Sequence, residues 1–171
     1  MIIPYMVSGL LAAAVSTDLV CRKVPNQLCM LGIITGCYLC VSGYGLQAGS
    51  MIFLKSILWP VCLLFPVYLI GGVGAGDVKL IAAVSAMMGG ARIGQLILIS
   101  FLIGAVFALL RLIRKRQLWY RSGKAAAHLT RCILSHKISR YQTIEEPDSY
   151  LHFTVCIYLA FLALYFWEVM I

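Results

Sequence analysis

The chain has 171 residues, 62% of them hydrophobic and 12% charged. An ordinary soluble domain is about half apolar and a quarter charged, so a water-soluble core is excluded and a bilayer is the favourable solvent. The net charge of +8 comes from 14 Lys+Arg against 6 Asp+Glu, yet nine of those bases crowd between Arg111 and Arg140. A basic stretch flanked by apolar ones is what orients a membrane protein, and no nucleic-acid-binding motif accompanies it.

Six apolar segments follow in chain order, roughly 2–17, 27–42, 51–71, 78–91, 93–110 and 150–170. They predict an all-α, polytopic membrane protein of about six transmembrane helices, with one domain over residues 1–171. The first segment has no Lys or Arg ahead of its apolar run, so it reads as a retained helix and not a signal peptide. Asp18 closes it. The link Arg22-Lys23-Val24-Pro25-Asn26 comes next; Pro25 cannot continue a helix, and Asn26 suits the N-cap of the second segment. That second segment carries Cys37 and Cys40 as C-x-x-C. No second pair and no nearby His accompany them, so they read as packing residues and not as a metal or redox site.

Residues 42–50 are uncharged and read as an outer connection to the third segment. Beyond it lies Gly71-Gly72-Val73-Gly74-Ala75-Gly76-Asp77-Val78-Lys79-Leu80, with four glycines in six residues. Such backbone is tolerated at membrane depth only where protein or a wet cavity surrounds it. The fourth segment is short for a span, and a helix starting below the membrane surface accounts for that. Gly89-Gly90 and Arg92 separate it from the fifth.

Between the last two segments lies a basic cytoplasmic loop, about 111–148. Within it Leu118, Ala125, Leu129, Cys132 and Ile133 recur at helical spacing among Arg121, Lys124 and Arg131, predicting amphipathic helices on the membrane surface. Glu145-Glu146-Pro147-Asp148 ends the loop, and Tyr165, Phe166 and Trp167 form an expected interfacial belt beside a solvated Glu168. With the N-terminus outside, Arg22, Lys23, Lys79 and the basic stretch all fall on the inner side; Lys55 and Arg92 are the exceptions.

Of the six acidic residues, four sit at expected membrane edges, leaving Asp18 and Asp77. Either alone could be a helix-end or capping residue. Both abut apolar runs and share one predicted membrane face, where an ionisable group is costly and marks function. Two carboxylates brought close share a proton; one activates water and the other protonates a carbonyl. Helix polarity alone gives the shared proton to Asp18, at the negative end of its helix, and makes Asp77 the base. The route needs neither metal nor cofactor. There is no H-E-x-x-H, no G-x-S-x-G and no Walker loop, and His128, His136 and His152 lack metal-ligand spacing.

The pattern Gly74-Ala75-Gly76-Asp77-Val78-Lys79-Leu80, with Asp18 upstream of Val24-Pro25-Asn26, resembles the type IV prepilin peptidases over about residues 1–110. The resemblance implies an aspartic endopeptidase of the bacterial inner membrane. Its substrate would be a prepilin or pseudopilin, whose short basic leader it removes at the cytoplasmic face. Gly74, Gly76 and Lys79 would shape the active-site loop, with Pro25 and Asn26 as structural support. Because the chain starts at the span bearing Asp18, it looks like the short members associated with Flp-type pili, in which no methyltransferase domain and no N-methylation are expected. Short members often carry Pro followed by small residues in the last span, where this chain has Phe153-Thr154-Val155-Cys156. Two other readings stay open: a proton-coupled carrier, which inverted-repeat symmetry would favour and for which no repeat is found, and a non-catalytic pilus assembly factor, against which the paired Asp argues. The oligomeric state is not specified by the sequence.

Overall fold

A computed structural model describes residues 2–21, 23–90, 92–114 and 152–170, and these described residues form six α-helices. In chain order these are α1 (Ile2–Cys21), α2 (Asn26–Tyr44), α3 (Leu46–Leu69), α4 (Ala75–Met88), α5 (Ile93–Arg114) and α6 (Phe153–Met170). The described residues contain no strand. Helices α1, α2, α3 and α5 are long and apolar enough to cross a membrane, and α6 has a shorter apolar run, Phe153–Phe166. Their outward faces carry exposed apolar side chains such as Leu31, Ile34, Leu54, Leu58, Leu98 and Leu102. In water such faces would be strongly unfavourable; in lipid they are the solvated surface. The protein is a polytopic membrane protein. Of the amphipathic segment expected over 111–146, residues 111–114 continue α5 and the rest, with Arg22, lies outside the described residues, as do the side chains of Trp167 and Glu168.

Helix α4 is the centre. Every residue from Leu80 to Met87 is buried, as expected of a helix that is apolar all round. It touches all five other helices, most extensively α2 and α3. The approach to α2 is set by small residues. A Cβ on Gly36 would lie 2.6 Å from the Ala86 carbonyl carbon and 2.8 Å from the Met87 nitrogen, so only glycine fits. Cys40 stands on the same face and its thiol donates to the Ala86 carbonyl at 3.5 Å.

The approach to α3 uses a different device. Pro60 lies inside α3 and has no N–H to offer the Ser56 carbonyl one turn back. The buried Ser85 hydroxyl of α4 donates to that carbonyl instead. A backbone acceptor left over by proline thus becomes an interhelical link, as lipid-embedded backbone requires. On the other side, α6 packs along α5 and α1, with Phe153 against Phe101 at 5.2 Å between ring centres. Tyr165 meets Tyr5 of α1 edge-on.

Several boundaries differ from the sequence reading. The outer connection is not 42–50 but Gly45 alone, at φ 81, between two helices that run almost into each other. Apolar periodicity does not reveal this, because the polar residues Ser42, Gln47 and Ser50 are helical, and the Ser42 and Ser50 hydroxyls donate to carbonyls of their own helices. The left-handed turn that only glycine adopts readily does the work of a loop. Helix α1 continues past Asp18 to Cys21, and α4 begins at Ala75, before Asp77.

Candidate active site

Asp18 lies in the last turn of α1 and Asp77 in the first turn of α4. Asp77 is positioned by the turn before it. Gly74 is the N-cap residue, and its carbonyl accepts from the backbone N–H groups of Asp77 and Val78 at 3.1 and 3.2 Å. A Cβ on Gly74 would stand 3.2 Å from Asp77 Oδ2, so the carboxylate rests against bare backbone. Gly76 has looser surroundings: its nearest neighbour would be Val24 Cβ at 3.7 Å. Of the four glycines in this loop only Gly71 has positive φ.

The two carboxylates are brought to one point by a residue of a third helix. Thr154, in the first turn of α6 and 1% exposed, has its hydroxyl 2.9 Å from Asp18 Oδ2 and 3.4 Å from Asp77 Oδ1. His152, just before α6, puts Nδ1 at 3.1 Å from the same Asp18 Oδ2. The His152 carbonyl accepts from the Val155 backbone N–H, which fixes the entry of the chain into α6. Asp18 is buried at 9% exposure; Asp77 and His152 are half-buried.

Lys79 is exposed and donates to Asn26 Oδ1 at 3.0 Å. This tie joins the starts of α4 and α2. Asn26 is therefore not the N-cap of α2; that position is Pro25, whose carbonyl accepts from Leu28 and Cys29. Proline, with fixed φ and extended ψ, can stand there, which frees the Asn26 side chain for the neighbouring helix. Among the described residues no group of three or more His, Cys, Asp or Glu is placed to hold a metal ion.

Magnitudes rank the influences on the pair. A helix end contributes about 0.3–1 kcal/mol to a nearby charge. A hydrogen bond to an ionised acceptor contributes about 1.5–3 kcal/mol. The direct partners of Asp18 therefore outweigh the helix polarity considered from sequence.

His152 and Thr154 are the residues of the candidate site that sequence reasoning missed. Thr154 was visible only as a departure from the expected last-span pattern, and His152 only as a histidine without metal spacing. No spacing rule connects residue 18 with residues 152 and 154. The one available signal was a lone hydroxyl at the start of the last apolar helix.

A buried carboxylate meeting a second one across packed transmembrane helices defines the class: a membrane protein with an acidic site inside its helical bundle. Residues 5–109 match the type IV leader peptidase family, well over half of the chain and including both aspartates. The chain belongs to the type IV leader peptidase family, and it is a membrane protease of that kind. Comparison with curated proteins and with solved structures found no match.

Proposed function

We propose that this protein is an aspartic endopeptidase in which Asp18 and Asp77 are the catalytic pair. The observation that carries the reading is the single Thr154 hydroxyl in reach of both carboxylates. Two carboxyl groups so close share a proton, and that is the state needed for hydrolysis without a covalent intermediate. The ionised carboxylate takes a proton from water while the water oxygen bonds to the scissile carbonyl carbon. The carboxylic acid gives its proton to the carbonyl oxygen. Collapse of the resulting diol then breaks the C–N bond, with one proton returned to the leaving nitrogen and the other to the starting acid.

The substrate in this reading is a pilin-like precursor, of Flp type, with a short basic leader ahead of an apolar helix. Cleavage takes place at the cytoplasmic face of the bacterial inner membrane. Lys23, Lys79 and the start of the basic stretch all belong to the end of the bundle that holds the aspartates, and positive charge favours the inner side. Gly74 gives the Asp77 carboxylate its seat, Gly76 continues the helix start, and Pro25, Asn26 and Lys79 tie the α2 and α4 ends together.

The test is cleavage of a precursor in membranes containing wild type, Asp18→Asn or Asp77→Asn at equal levels. Leader removal by wild type and by neither variant supports the pair. Wild-type-like cleavage by either variant refutes it.

A further inference from the structure

We infer that His152 and Thr154 are positioning residues that divide the roles of the aspartates, holding Asp18 as the ionised base and leaving the proton on Asp77. This rests on the proposed function and goes beyond it by assigning each carboxyl group its step and by adding two residues outside the family match.

The argument is hydrogen arithmetic. A threonine hydroxyl has one hydrogen and two lone pairs. Its shorter contact, 2.9 Å, is to Asp18 Oδ2, so the hydrogen goes there. Toward Asp77 Oδ1, at 3.4 Å, the same oxygen can then only accept. An ionised carboxylate has nothing to donate; a protonated Asp77 has. His152 Nδ1 lies 3.1 Å from the same Asp18 oxygen and donates to it when Nδ1 carries the hydrogen. One carboxylate oxygen thus accepts twice, and the charge is held there. In the catalytic step Asp18 takes the proton from water and Asp77 gives its proton to the carbonyl oxygen; on collapse Asp18 passes its proton to the leaving nitrogen and Asp77 recovers one from the diol. Both groups end as they began.

Other groups facing this cluster among the described residues do not reverse the assignment. Helix α4 brings Asp77 and Lys79, whose ammonium is taken up by Asn26 of α2. Helix α2 also brings Cys29, and α6 brings Cys156, both buried thiols. Helix α5 presents Phe101 and Gly104 to Phe153. Among the described residues, the side chains bonded to the Asp18 carboxylate are those of His152 and Thr154.

The experiment is the pH dependence of kcat/KM for the full chain in detergent, acting on a synthetic precursor with a basic leader and an apolar helix. Removing a donor makes the charge on Asp18 harder to keep, so His152→Ala and Thr154→Val should each move the acidic limb to higher pH. The expected shift is about one pH unit, a roughly tenfold loss of rate on that limb. KM should change little, and Thr154→Ser should restore the wild-type profile. In parallel, NMR of isotope-labelled histidine in the wild type should show one imidazole protonated at Nδ1, a readout that does not need the variants to fold. Superimposable profiles, a limb moved to lower pH, or no Nδ1-protonated imidazole would each overturn the assignment. Inactive Asp18→Asn and Asp77→Asn beside unaltered His152 and Thr154 variants sinks this inference alone. Active Asp variants, or a wild type that cuts no basic-leader precursor, sinks the proposed function and this inference with it.

Discussion

The two sides of α4 are built differently. Toward α2 and α3 the contact is close and extensive, made by glycine against backbone and by the Ser85 link to a carbonyl that Pro60 leaves unpaired. Toward α1 and α6 the contacts are few, and the polar groups Asp18, Asp77 and Thr154 meet there. Toward α2 and α3 small residues let backbones meet, whereas toward α1 and α6 larger apolar side chains fill the space along the bundle and the polar cluster stands at its end. The difference separates two roles: close backbone contact on one face fixes where α4 stands, and on the other the Asp77 carboxylate meets groups of α1 and α6 at the end of the bundle.

That contrast can be broken most sharply at the aspartates. Asp18→Asn or Asp77→Asn should lower cleavage by at least ~10²–10⁴-fold, the range attributable to a general acid or base. Thermal unfolding in detergent should change by only a few degrees, because Asn keeps the size and shape of the side chain it replaces. A large fall in melting temperature would mean that the polar cluster is structural.

On the packed side the effect should be on stability instead. Gly36→Val puts side-chain atoms where the Ala86 and Met87 backbone already lies, at an expected cost of about 1–3 kcal/mol. Gly9→Ala, with nothing within 4 Å of the added carbon, is the matched control and should be nearly neutral. Equal unfolding temperatures for the two variants would contradict the close approach of α2.

Next in size is Ser85→Ala. It leaves the Ser56 carbonyl of α3 without its donor, which should cost about 1–2 kcal/mol, with cleavage per folded molecule retained. The smallest effect is expected at the exposed Lys79–Asn26 tie. A double-mutant cycle of Lys79→Met and Asn26→Ala should give a coupling of about 0.5–1 kcal/mol in unfolding. A coupling that appears in kcat but not in stability would move Lys79 from the scaffold to the reaction.

Much of this division was legible in the sequence, and unevenly. Composition declared the membrane class, and the motifs around Asp18 and Asp77 singled out the two carboxylates because so few acidic residues compete with them. The shortness of α4 was also visible. What sequence could not show is what depends on three-dimensional closure. The Gly45 turn hid because helices on both sides tolerate its polar neighbours. The Asn26 side chain looked like a cap because Pro25 was counted as a breaker and not as the capping position. His152 and Thr154 hid because their meaning comes from the distance across the bundle to Asp18, and a single chain offers no period that links those positions.

The length of α4 has a consequence for how the bilayer acts on this protein. Fourteen residues rise ~21 Å, against a hydrocarbon thickness of ~30 Å. A lipid-facing helix with that deficit would thin the membrane or tilt. α4 has no such obligation, because Leu80 to Met87 are buried among the other described helices. The depth of Asp77 is therefore a property of the protein's own frame. Reconstitution in bilayers of short or long acyl chains should tilt the outer helices while leaving the Asp77–Thr154 contact where it is, so the scissile position on a precursor would be measured from the peptidase and not from the membrane surface.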